Sequence, residues 1–154
     1  MLLKPMISPI TNFLQARMGI NREHDVAIFK KLDAMADEAS VDKILNSRIY
    51  NSDFRIEDDH VLSDLIEAFN RIENRYLDNT VQLKAEGFSW EINTLLSFVH
   101  QTFWPVPGDR LKFRPDPIDP EVYEAEWKEL NEKLESTWQA YKEYRMAIKE
   151  RLKA

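Results

Sequence analysis

From Asp119-Pro120-Glu121 the chain runs to Lys153 without a glycine or another proline. Apolar residues recur along it at Tyr123, Trp127, Leu130, Leu134, Trp138, Tyr141, Tyr144, Ile148 and Leu152. The mean step is about 3.6 residues, the period of an α-helix. Such a helix is roughly 50 Å long at 1.5 Å per residue. With aromatic rings on or beside one stripe it needs an apolar partner surface, so the chain is bound to helical packing. A strict heptad through Tyr123 and Trp127 demands apolar residues at 137 and 151, where Thr137 and Arg151 stand. The register breaks there, which favours a bundle helix over a free-standing two-stranded coiled coil. Acids concentrate in its first half and bases in its second, matching the helix macrodipole.

The rest of the chain carries the same signature. Ser8-Pro9 reads as a helix start and Gly19 as its stop, with Ile10, Phe13 and Leu14 on one face. Asn21 starts a second helix containing Val26, Ile28, Phe29, Leu32 and Met35. Ser40 starts a short third one with Val41, Ile44, Leu45 and Ile49, and Tyr50 to Asp53 reads as a turn. The acids Glu57, Asp58 and Asp59 then open a long helix of about 58–84, terminated by Gly87. Ser89 caps a further helix that ends at Pro105. Residues 105–119 hold four prolines and a glycine and read as a linker, within which Arg110 to Arg114 alternates as an extended segment. The expectation is an all-α bundle of five to six helices, the long ones at about 58–84 and 120–153 packed antiparallel. Residues 1–20 form an apolar N-terminal arm with a short helix, and 21–154 one bundle domain.

Composition narrows the function classes. The chain has 154 residues, enough for a real core in one domain. Its net charge of -6 argues against nucleic-acid binding, which needs a concentrated excess of Lys and Arg. No cysteine is present, which excludes disulfides, thiolate catalysis and Cys-ligated zinc. No apolar run approaches the ~20 residues of a membrane span, although the N-terminal arm can touch a membrane surface or a partner. A cytoplasmic setting fits.

Several clusters are candidates for chemistry, each with a plainer reading beside it. His24, His60 and His100 fall on three expected helices that could converge on a metal. Glu57 and His60 have the Glu-x-x-His spacing of di-iron bundles, but the second such pair is missing. His24-Asp25 resembles the paired His-Asp ligands of helical metal phosphohydrolases, yet those need an upstream histidine and residues 1–23 contain none. Glu57, His60, Asp64, Glu67 and Arg71 share one helical face and could hold Mg²⁺, as carboxylates do in all-α pyrophosphatases. The plainer reading is a solvated face with Glu67 and Arg71 as an i,i+4 pair.

Arg110, Lys112 and Arg114 form the one local basic cluster, suited to an anion. Alternatively they neutralise nearby carboxylates while Leu111 and Phe113 plug the end of the bundle. Trp127, Trp138, Tyr141 and Tyr144 are candidates for an interface, since Trp and Tyr dominate such energies. Core packing within a subunit or across a dimer is the stronger reading. No nucleophile elbow or phosphate loop is present. These residues lead to a non-enzymatic helical interaction or regulatory domain that self-associates, a homodimer, with no cofactor. The alternative is a small all-α metal- or nucleotide-dependent hydrolase built on the middle helix.

Overall fold

The computed structural model describes residues 9–154, and Ser8 with the rest of the first eight residues lies outside them. Five α-helices are described: α1 Pro9–Met35, α2 Glu38–Lys43, α3 Ile56–Phe69, α4 Asn79–Thr102 and α5 Pro120–Ala147. Three short strands accompany them, β1 Phe54–Arg55, β2 Phe103–Val106 and β3 Arg110–Phe113. The architecture is an all-α bundle with a small sheet at one end.

The two longest helices of the body, α4 and α5, pack along each other. Lys84 meets Glu143 at 3.3 Å, the Phe88 and Tyr141 rings lie 4.9 Å apart, and Thr137 Oγ donates to Glu91 O at 3.4 Å. Lys133 Nζ sits 5.7 Å above the Phe98 ring. Rising numbers on α4 meet falling numbers on α5, so the pair is antiparallel. The α5 stripe enters the core at Leu130, Leu134, Tyr141, Tyr144 and Ile148. Asp119 caps this helix through a 2.8 Å bond to the Glu121 N–H, with Pro120 at the first helical position, where its missing donor costs nothing.

The partner of α5 is thus α4, and the expected helix of about 58–84 is two elements. α3 ends at Phe69, and residues 70–78 form a link with a single 3₁₀ turn. Polar side chains hold that link. Asn74 Nδ2 donates to Ala68 O at 2.8 Å while its Oδ1 accepts from Lys31 at 2.9 Å. Gln82 Oε1 accepts the Tyr76 N–H at 2.8 Å, and Asp78 starts α4 by accepting the Val81 N–H at 3.0 Å.

Both glycines expected to end helices lie inside them. Gly19 sits within the unbroken α1, and Gly87 and Ser89 sit in the middle of α4. The short helix of the N-terminal arm therefore continues into the second expected helix as one rod.

Residues 105–119 are also more ordered than a linker. β3 is central in the order β1-β3-β2, pairing antiparallel with both neighbours. Gly108, at φ +91°, and Asp109, at φ 56°, make the turn between β2 and β3. Pro105 is tolerated because β2 is an edge strand. The buried rings of Phe54, Phe103 and Phe113 close this end of the bundle.

Candidate interaction surface

The acidic stripe of α3 does not form a site. Glu57, His60, Asp64 and Glu67 are exposed on the outer face of α3, and Glu67 is engaged by Arg71 at 3.1 Å. The neighbour of this stripe with a structural duty is Asp58, buried, paired with Arg48 and accepting the Arg55 N–H at 3.2 Å. Each of the other histidines has its own carboxylate: His100 Nε2 lies 2.8 Å from Asp59, and His24 Nδ1 lies 3.0 Å from Asp25. Among the described residues no three His, Asp or Glu side chains converge on a point that could hold a metal ion.

The basic cluster on β3 divides in the same way. Arg114, turned by a φ of 39°, makes two 2.6 Å bonds to Glu126, and that pairing holds its guanidinium above the usual arginine range. Arg110 approaches Asp53 at 3.8 Å, and Lys112 points to solvent. Phe113 between them is buried. The arrangement is a plug at the bundle end in which the two arginines meet carboxylates and Lys112 faces solvent.

Of the four aromatic interface candidates, two are core. Tyr141 and Tyr144 are each 3% exposed. The Tyr144 hydroxyl shares a hydrogen bond with that of Tyr76, whereas the Tyr141 hydroxyl, among the described residues, is buried without a hydrogen-bond partner. Burial pushes the Tyr141 phenol up to about 12 and raises Tyr76 and Tyr144 in the same direction. All three hold their protons at neutral pH. Trp127 and Trp138 are half-buried, Trp127 against Phe113 and Tyr50 at 5.4 and 5.7 Å, Trp138 against Tyr141 at 5.6 Å. These rings finish the core's edge and offer no broad patch.

Larger apolar surface lies elsewhere. α1 buries only Asp25, Ile28 and Leu32, all in its second half, while every residue from Pro9 to Ile20 is exposed. Ile10, Phe13, Leu14 and Met18 stand at i, i+3, i+4 and i+8 on one face of this segment, between 51% and 71% exposed. The segment is a helical arm about 18 Å long at 1.5 Å per residue. Its root is fixed: Arg22 Nε donates to Leu152 O at 2.7 Å, and Asp25 accepts the Leu77 and Asp78 N–H groups at 2.8 Å each. The arm leaves the bundle at the end where α4 begins and α5 stops.

A second apolar feature is the groove between α3 and α4 on the side away from α5. It encloses about 330 Å³, with Ile66 and Phe69 on one wall and Ala85, Glu86, Ser89 and Trp90 on the other. Trp90 is 64% exposed and Leu83, two turns earlier on the same side, is 58% exposed. The sequence carried a signal for this surface that spacing arguments for a single buried face pass over. α4 is apolar on its α5 side, and Leu83 and Trp90 add a second apolar strip at i, i+7.

No protein-family model, no curated protein and no solved structure matches the chain. No helix among the described residues is long and apolar enough to cross a membrane.

Proposed function

We propose that this protein is a non-enzymatic helical interaction module that self-associates as a homodimer in the cytoplasm and serves a regulatory or scaffolding role through that contact. The observation that carries the reading is the arm: a stretch of helix whose root is held by hydrogen bonds to the buried Asp25 carboxylate and which exposes an apolar face. Exposed apolar surface gathered on one rigid element marks an interaction site rather than a packing accident. Fully burying side chains of the size of Ile, Phe, Leu and Met contributes about 1.5–3 kcal/mol each. Association costs about 4–15 kcal/mol in lost freedom. Two arms buried reciprocally therefore fit a dimer in the micromolar range, near -8 kcal/mol.

The association surface in this reading is α1, in place of the aromatic stripe of α5, whose tyrosines are occupied with the subunit's own core. The hydrolase alternative has no comparable support, because its carboxylates and histidines are dispersed over solvent-facing positions and separate ion pairs. A dilution series of the native chain in sedimentation velocity tests the proposal. The expected result is a mass that moves from dimer toward monomer across the micromolar range. A single monomeric species at every concentration would remove it.

A further inference from the structure

Resting on the self-association just proposed, we infer that the arm's occupant is a second copy of the chain, and that the arm of one molecule seats in the α3/α4 groove of the other. Three observations point to this pairing. The first is reach. α1 is unbroken from Pro9 to Met35, and its second half is fixed to the body at Asp25, Ile28 and Leu32. The arm therefore extends beyond the bundle and cannot fold back onto its own groove without breaking the helix at a paired segment. Among the described residues, the groove within reach of the arm is therefore that of another molecule.

The second is size. The arm from Pro9 to Ile20 and the α4 wall of the groove from Gln82 to Asn93 are each 12 residues of helix, about 18 Å. The α4 wall of the groove holds the small residues Ala85 and Ser89, one turn apart, beside the larger Trp90, with Phe69 on the opposite wall. A helix with Phe13, Leu14 and Ile10 projecting is the complementary shape, the helix-in-groove mode of recognition.

The third is charge. Between Pro9 and Arg22 the arm carries Arg17 and Arg22 and no acid, and the first 22 residues hold three of the chain's 21 basic residues and none of its 27 acidic ones. The remainder carries 18 basic against 27 acidic residues, a net of -9. Arg17 lies in the middle of the apolar face, where a docked helix needs a carboxylate opposite it. Glu86 stands in the groove wall with half its side chain exposed, held there by Arg75 at 3.2 Å and Gln82 at 3.0 Å, so a docked Arg17 would share or exchange that pairing. An anionic membrane surface, the other partner for a basic apolar helix, would repel the acidic body that the arm is rigidly attached to. A reciprocal exchange of arms gives a closed, two-fold symmetric dimer with each interface made twice.

The absence of cysteine from the sequence makes the test clean. Ala16→Cys, at the edge of the arm's apolar face, is mixed with a size-tagged chain bearing Asn93→Cys, an exposed position of the groove wall that leaves Glu86 in place. Glu135→Cys, exposed on α5, is the control. Under mild oxidation the arm–groove disulfide is expected to form at least tenfold faster than the arm–control one. Equal rates would overturn the inference, as would dominant Ala16–Ala16 linkage, which would mean arm pairing with arm. Sedimentation of the native chain separates the levels: a dimer without the groove cross-link overturns this inference alone, and a monomer overturns self-association with it. Flotation of a monomeric chain with phosphatidylserine vesicles would likewise overturn it, in favour of a lipid surface.

Discussion

Asp25, midway along α1, accepts the main-chain N–H of Asp78 at 2.8 Å while its other carboxylate oxygen accepts that of Leu77 at the same distance. The carboxylate is 1% exposed and lies at the start of α4, where the unpaired amides and the helix dipole both favour a negative group. One side chain so joins the root of the arm to the helix that carries the groove. Removing it leaves two partly buried donors without acceptors. Asp25→Ala should cost about 2–3 kcal/mol in urea unfolding, and Asp25→Asn, which keeps one acceptor, should cost less. A loss near zero for the alanine variant would show that the link at residues 70–78 is held by other contacts.

The core tyrosines should respond in opposite ways to the loss of a hydroxyl. Tyr144→Phe strips the Tyr76 hydroxyl of its partner and should cost about 1–2 kcal/mol. Tyr141→Phe removes a buried hydroxyl that has no hydrogen-bond partner among the described residues, so stability should hold or rise by up to about 1 kcal/mol. Thermal or denaturant unfolding of the two single variants decides, and equal losses would contradict the assignment.

Alkaline pH should unfold the protein through the same residues. Tyr141 is raised from 10.0 to about 12 by burial, and Tyr76 and Tyr144 are raised in the same direction. Above pH 10 the unfolded chain has released phenolic protons that the folded chain still holds. The folded state then binds more protons, and stability must fall as pH rises. The contribution is complete below about pH 10 and lost through pH 12 and beyond. Tyrosinate absorbance and circular dichroism, followed together, should show these three tyrosines ionising with the unfolding step. Ionisation at pH 10 with the fold intact would contradict their burial.

Periodicity made α5 legible over Pro120–Ala147, because its stripe from Leu130, its opening Asp119-Pro120 and its divided charge agree, while the expected run to 153 closes in a π turn at Ile148–Leu152. The α3–α4 break was hidden by the same signal. Ile72, Tyr76 and Leu77 continue the apolar spacing, yet Ile72 is 90% exposed and Tyr76 is buried from a non-helical segment. Asp78-Asn79-Thr80 was the readable start signal, a capping acid whose bond to the Val81 N–H outweighs the apparent continuity. The extended run at residues 110–114 was legible by alternation, but β1 has two residues and can show no alternation at all. The apolar arm was visible as composition. Its helical continuity was not, because Gly19 reads as a stop, whereas α1 runs unbroken through it from Pro9 to Met35.

Gly87 offers a direct check on that point. It lies within α4, exposed, and a methyl group built there meets nothing within 4 Å. Gly87→Ala should raise stability by about 0.5–1 kcal/mol, since alanine gives up less backbone freedom in a helix. A loss in the melting midpoint would mean that the helix does not run through residue 87.

Sedimentation equilibrium of the native chain beside the Phe13→Glu/Leu14→Glu double variant tests the central claim that the arm mediates association. Both positions are exposed, so the variant should keep the native circular dichroism and melting midpoint of the dilute chain. The native chain should be a reversible dimer across the micromolar range and the variant a monomer throughout. A variant that dimerises as well as the native chain, or a native chain that stays monomeric, would contradict the claim.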